Sequence, residues 1–142
     1  MTLIQSIHEQ WSGYRPLAAL IPPQRLYTGL PPIRDANGQT IAPPYVSISL
    51  VGEAEQTRTS SGTTLRTERV RFSIYAKSYD EGRRIGQAIC DFFNRRDFAF
   101  AGGQALDMRS ADRTEEENAD DGVWRITQDF TVLILDKRGS NS

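Results

Sequence analysis

The residue types able to carry chemistry are few in this chain, and their spacing does not assemble them. His8 is the only histidine, so any Ser-His-Asp or Cys-His arrangement would have to use it as the base titrating near neutral pH. It stands one residue past Ile7 near the start of a helical pattern, and it reads as an ordinary helix-surface histidine. Cys90 is the single cysteine and sits beside Ile89 in a second helical pattern, as a small, partly buried thiol would. One cysteine permits no internal disulfide and no cysteine-rich metal site. Glu115-Glu116-Glu117 with Asp120 and Asp121 is the most acidic stretch. A Ca²⁺ loop needs ligands at alternate positions, a glycine turn and a closing acid, and 112–122 lacks that spacing, so a solvated acidic loop is expected. Arg83-Arg84 and Arg95-Arg96 are expected to share one side of a helix, diluted there by Glu81, Asp91 and Asp97. Gly102-Gly103 is too short for a phosphate-cradling loop, and the nucleotide-binding fingerprints are absent. The reading is a chain with no catalytic residue, no cofactor and no metal, and therefore not an enzyme.

Bulk properties agree. The 142 residues suit one domain, expected over 1–136 with a disordered tail over 137–142. Hydrophobic residues at 38% and charged residues at 25% are an ordinary globular balance. Lys and Arg total 17 against 18 Asp and Glu, for a net charge of -1. Tight nucleic-acid binding usually needs a basic excess or a basic face, and neither is evident. No apolar run approaches the ~20 residues that span a bilayer, so no membrane is expected. Residues 1–6 lack a basic start followed by a long apolar run, so no signal peptide is expected.

The elements follow from periodicity. Leu3, Ile4, Ile7, Trp11 and Tyr14 recur at helical steps, with Thr2 and Gln5 placed for a capping box and Pro16 ending or interrupting the helix. Arg25 to Thr28 is a short strand, followed by a segment rich in Pro, Asn and Gly up to Pro44. Val46, Ile48 and Leu50 alternate with Ser47 and Ser49, a half-buried strand. Residues 52–66 are polar and form a long loop or an extended hairpin arm. Val70, Phe72, Ile74 and Ala76 alternate with Arg69, Arg71, Ser73 and Lys77. Ser78 to Glu81 opens a second amphipathic helix whose stripe is Ile85, Ala88, Ile89, Phe92 and Phe93. Leu106 and Met108 suggest a short strand, 110–122 an acidic loop, and 124–134 a closing strand whose apolar face is broken by Gln128. The expected fold is α+β: a mostly antiparallel sheet, two amphipathic helices packed on one face, and a long β-hairpin-like arm.

Three projecting segments on a small sheet, the Pro-rich stretch 29–44, the polar loop 52–66 and the acidic loop 111–122, favour a protein that contacts several neighbours. The whole pattern resembles the tail-completion, or tail-terminator, proteins of long-tailed bacteriophages and prophages. The likeness runs from about Leu3 to Leu135 and rests on Leu26-Tyr27, Pro44-Tyr45-Val46-Ser47-Ile48, the 70–76 strand, and Trp124-Arg125-Ile126-Thr127-Gln128-Asp129-Phe130. The resemblance implies a structural virion-assembly protein that forms a ring, commonly a hexamer. Such a ring caps the tail tube, stops tube polymerisation and provides the head-docking surface. Its partners would be further copies of itself, the tail tube protein and the head-tail connector protein, with DNA passing through without specific binding. It would reside in the tail or neck of the virion, and in the host cytoplasm during assembly. The arm residues Glu53, Glu55, Arg58 and Arg66 are then expected to contact a neighbouring subunit or tube ring. Glu115, Glu116 and Glu117 are expected on the lumen or a docking face, since an acidic wall does not hold phosphates. A head-side neck adaptor would share this surface logic, and a nucleic-acid-binding or regulatory module using the arginine-bearing helix is the alternative of a different class.

Overall fold

In a computed structural model, which describes residues 2–29, 38, 41–58, 64–118 and 122–136, the first helix, α1 (Leu3–Ser12), begins at the capping box expected from Thr2 and Gln5. The Thr2 hydroxyl accepts from the Gln5 N–H at 3.2 Å, and the Gln5 side chain accepts from the Thr2 N–H at 2.8 Å. The helix stops at Gly13, ahead of Pro16. Pro16 lies instead in the first turn of a second short helix, α2 (Arg15–Leu20), where its missing N–H costs nothing. Trp11 locks the two together: its indole N–H donates to the Ile21 carbonyl at 3.0 Å in a fully buried site.

Among the described residues the sheet has six strands, in the order β1-β2-β3-β6-β5-β4. They are β1 (Leu26–Thr28), β2 (Tyr45–Arg58), β3 (Thr64–Ala76), β4 (Phe98–Phe100), β5 (Gly103–Asn118) and β6 (Val123–Asp136), with α3 (Tyr79–Phe93) between β3 and β4. Only β1 with β2 is parallel. The sheet is curled into a half-barrel. β3 and β6 pair without a bulge from Thr64 opposite Asp136 to Ala76 opposite Trp124, forming the rigid centre.

Two segments extend beyond their sequence signal. β2 continues through polar residues to Arg58 and pairs antiparallel with β3 from Thr64 onward, so 52–58 and 64–66 are strand rather than loop, with Gly52 at φ 80° in a bulge between Val51 and Glu55. β5 runs on to Asn118, so most of the expected acidic loop is a strand. Neither stretch has an apolar face to betray it; pairing with β3 and β6 supplies the order that composition does not.

One face of the sheet carries the core. Val46, Ile48, Val70, Phe72, Ile74, Ile126, Phe130, Val132 and Ile134 meet Ile7, Trp11, Ile85, Ile89 and Phe93 from the helices. Phe72 stacks near Trp11 at 6.2 Å and meets Phe93 at 5.3 Å and Phe130 at 5.5 Å. Helix α3 can lie close because Gly82 faces Ile126: a Cβ there would come within 2.5 Å of the isoleucine Cδ1. Its Ser78 cap accepts from the Glu81 N–H at 3.1 Å, while the Glu81 carboxylate accepts from Lys77 rather than from Ser78.

Candidate assembly surfaces

The middle of the helix-free face is polar, and its residues are ordered in rungs across the strands. At one end Tyr45 stacks on Tyr75 at 4.7 Å, Tyr27 meets Tyr45 edge-on at 5.9 Å, and the Arg125 guanidinium lies 5.9 Å from the Tyr75 centroid. The next rung is hydroxyl-bearing: Ser47, Ser73, Thr127 and Thr114 lie opposite one another, and the two threonine hydroxyls are hydrogen-bonded.

Beyond it lies an ion cluster. Arg69 Nε donates to Asp129 Oδ2 at 2.9 Å, and Arg71 donates to Asp129 Oδ1 at 2.9 Å and Oδ2 at 3.1 Å. Arg69 also reaches the exposed Asp112. The Asp129 side chain is only 3% exposed, although among the described residues no helix lies above it. Burial alone would push its carboxyl up, but the donated bonds from Arg71 and Arg69 outweigh that and hold it below the ordinary value. Arg71 is raised in turn by its bond to Asp129. The effect is a set of arginines whose charge is already answered.

On the helix side, Gln128 is buried rather than merely interrupting the face. Its oxygen accepts from Arg113 Nε at 2.9 Å, and its nitrogen donates to the Asp129 carbonyl at 3.0 Å. A bulge between Ser110 and Arg113 turns Arg113 inward toward α3, within 3.7 Å of the Cys90 sulfur. Cys90 is half-buried, and burial pushes its thiol up, away from nucleophilic character. His8 contacts the Thr28 hydroxyl through Nε2 at 3.0 Å, tying α1 to β1, and desolvation lowers its pKa. Arg83 and Arg84 are exposed on α3, but Arg95 and Arg96 lie past its end. Arg95 has φ 70°, and Arg96 folds back over the Phe92 ring at 3.9 Å and donates to Gln10 at 2.8 Å. The four arginines therefore do not share a helical side. Among the described residues, no cluster could hold a metal ion and no helix is long and apolar enough to cross a membrane.

The residues singled out from sequence fall at opposite ends of the sheet. Glu53, Glu55 and Arg58 are placed, by backbone, along the outer part of β2. Arg66 lies beside them on β3, with its guanidinium engaged by Glu68 and by Asp136 at 2.9 Å. Glu115, Glu116 and Glu117 lie on β5 opposite Ile126, Arg125 and Trp124. Traced through the β3–β6 register, the two groups stand roughly 30 Å apart along the strands. The putting together of Arg69, Arg71 and Asp129 was missed in the sequence; the charges alternate there on the wet sides of two strands, but only the register brings them into contact.

A family model described as Tail completion protein gp17 matches residues 14–135. The chain belongs to that family. No curated protein matches it. Among solved structures, a chain of the "Virion of native gene transfer agent (GTA) particle" shares its fold, with a TM-score of 0.74, 17% identity and 94% of each chain covered. This tail completion protein is thus a structural protein of bacteriophage tail assembly, and its family is not one of enzymes.

Proposed function

We propose that the protein caps the phage tail tube as a ring of identical subunits, stops tube polymerisation and offers its other surface to the head-tail connector. The family match over 14–135 carries this reading. The physical arrangement supports it. In a ring built from one curled sheet per subunit, the bulky helices belong outside and the helix-free face lines the lumen. That face answers Arg69 and Arg71 with Asp129 and Asp112, so these two cations are not free to hold passing phosphates. Of the three glutamates, Glu116 stands opposite Arg125 at a register position of the helix-free face, where it adds negative charge at one end of the sheet, while Glu115 falls on the helix side and accepts from the Tyr79 hydroxyl. A hexamer of this chain, assembled in the host cytoplasm and seated in the tail or neck of the virion between a tail tube partner and a connector partner, is the fuller form of the proposal.

Negative-stain electron microscopy of the purified protein, alone and mixed with tail tubes, tests it. Rings, or caps at one end of the tubes, are expected. Particles that ignore tubes and bind connectors alone would move the protein to the head side of the joint. Removing 54–64 from the β2–β3 arm should leave a folded monomer that no longer forms rings; undiminished rings would show that the arm is not the contact.

A further inference from the structure

The sheet ends in two open edges that fit each other. On the outer side of β2, β1 pairs only with Val46, Ser47 and Ile48, and the Gly29 N–H closes on the Ile48 carbonyl at 2.9 Å. Among the described residues, no strand lies beside β2 from Ser49 to Arg58. On the outer side of β5, β4 pairs with Gly103, Gln104 and Ala105, and the turn after α3 serves Met108 and Ser110. Beyond Ser110, no described strand lies beside β5 as far as Asn118. Open edges of this kind are templates for another strand.

We infer that the open edge of β5 (111–118) pairs antiparallel with the open edge of β2 (49–58) in a second copy of this chain, making one continuous sheet around the ring; the inference rests on the ring reading above. Three features point to that occupant. Direction is the first: the antiparallel steps from β2 through β3 and β6 to β5 leave β5 running opposite to β2, as an antiparallel joint requires. Shape is the second. Where β1 occupies the outside of β2, the neighbour's β5 has reached its turn into β6, so the short edge strands interlock with the long ones. Charge is the third: β5 joined to a second β5 would set the run Glu115-Glu116-Glu117 against itself, whereas the 49–58 edge brings Glu53 and Glu55 together with Arg58, so the head-to-tail contact meets less like charge than a two-fold dimer.

The geometry also suits closure. Referred to β6, the centres of the two edges are offset by roughly six residues, or about 20 Å, while four long strands are about 19 Å wide. Such a joint inclines the strands by roughly 45° to the ring axis, the upper end of the tilt found in closed barrels.

Hydrogen exchange of the full-length protein, as monomer and as rings alone or on tail tubes, tests the joint. Peptides covering 49–58 and 111–118 should gain protection together on assembly, by at least tenfold in exchange rate. Rings that leave both peptides unprotected overturn the edge joint and spare the ring reading; no oligomer under any condition overturns both. A second test uses Glu115→Pro and Glu116→Pro. Neighbouring residues on a strand aim their N–H groups to opposite sides, so one variant removes only an outward donor. That variant should melt within a few degrees of the parent, yet fail to form rings. Normal rings from both variants overturn the proposal.

Discussion

β3 and β6 present two faces built from alternate residues of the same strands, and the two faces hold together differently. Toward the helices, Phe72, Phe130 and Ile74 are fully buried among Trp11, Phe93 and Ile89, where stability follows from apolar area and close packing. Away from the helices, Arg71 and Asp129 are tied by directed bonds, and among the described residues no helix covers them. The first face makes the monomer. The second keeps its order without a cover, as a surface must if it is to meet something outside its own chain.

The sharpest way to separate these roles is to damage each face alone. Trp11→Ala removes the largest fully buried side chain and its bond to Ile21, and should cost about 3–5 kcal/mol in urea unfolding. A loss below about 1 kcal/mol would mean that α1 and α2 are not part of the cooperative core. Asp129→Asn leaves Arg69 and Arg71 without their carboxylate and should cost about 1–3 kcal/mol.

The two variants should also differ in pH response. Because the Asp129 carboxyl is held below its ordinary value, its stabilisation is complete above about pH 4 and is lost as pH falls through the folded value. Parent and Asp129→Asn, separated at pH 7, should therefore converge in acid, whereas Trp11→Ala should stay displaced by a near-constant amount. Parallel curves for Asp129→Asn would remove the ion cluster as the source of the difference.

The smallest effect is expected at His8, where α1 meets β1. Burial holds its imidazole below 6.5. The unfolded chain therefore takes up the proton first, and stability should decline as pH drops below about 6.5. His8→Gln should flatten that decline while changing stability at pH 7.5 by about 0.5 kcal/mol. An unaltered slope would assign the decline to other groups.

Much of this molecule is written in local pattern. The period of Leu3, Ile7 and Trp11, the capping pair Thr2 and Gln5, and the alternation of Val70, Phe72 and Ile74 determine helix, cap and strand by themselves, because each depends on neighbours within a turn or two of chain. The single histidine and the single cysteine are likewise legible before any fold is known. Other features waited for tertiary structure. The acidic 110–118 stretch becomes a strand because β6 offers it a ladder, and 52–58 because β3 does. Gln128 is a buried hub because a bulge aims Arg113 at it, and Asp129 gathers two arginines because β3 and β6 pair in one register. In these cases the partner lies tens of residues away, and sequence fixes which groups exist while only long-range pairing fixes which of them meet.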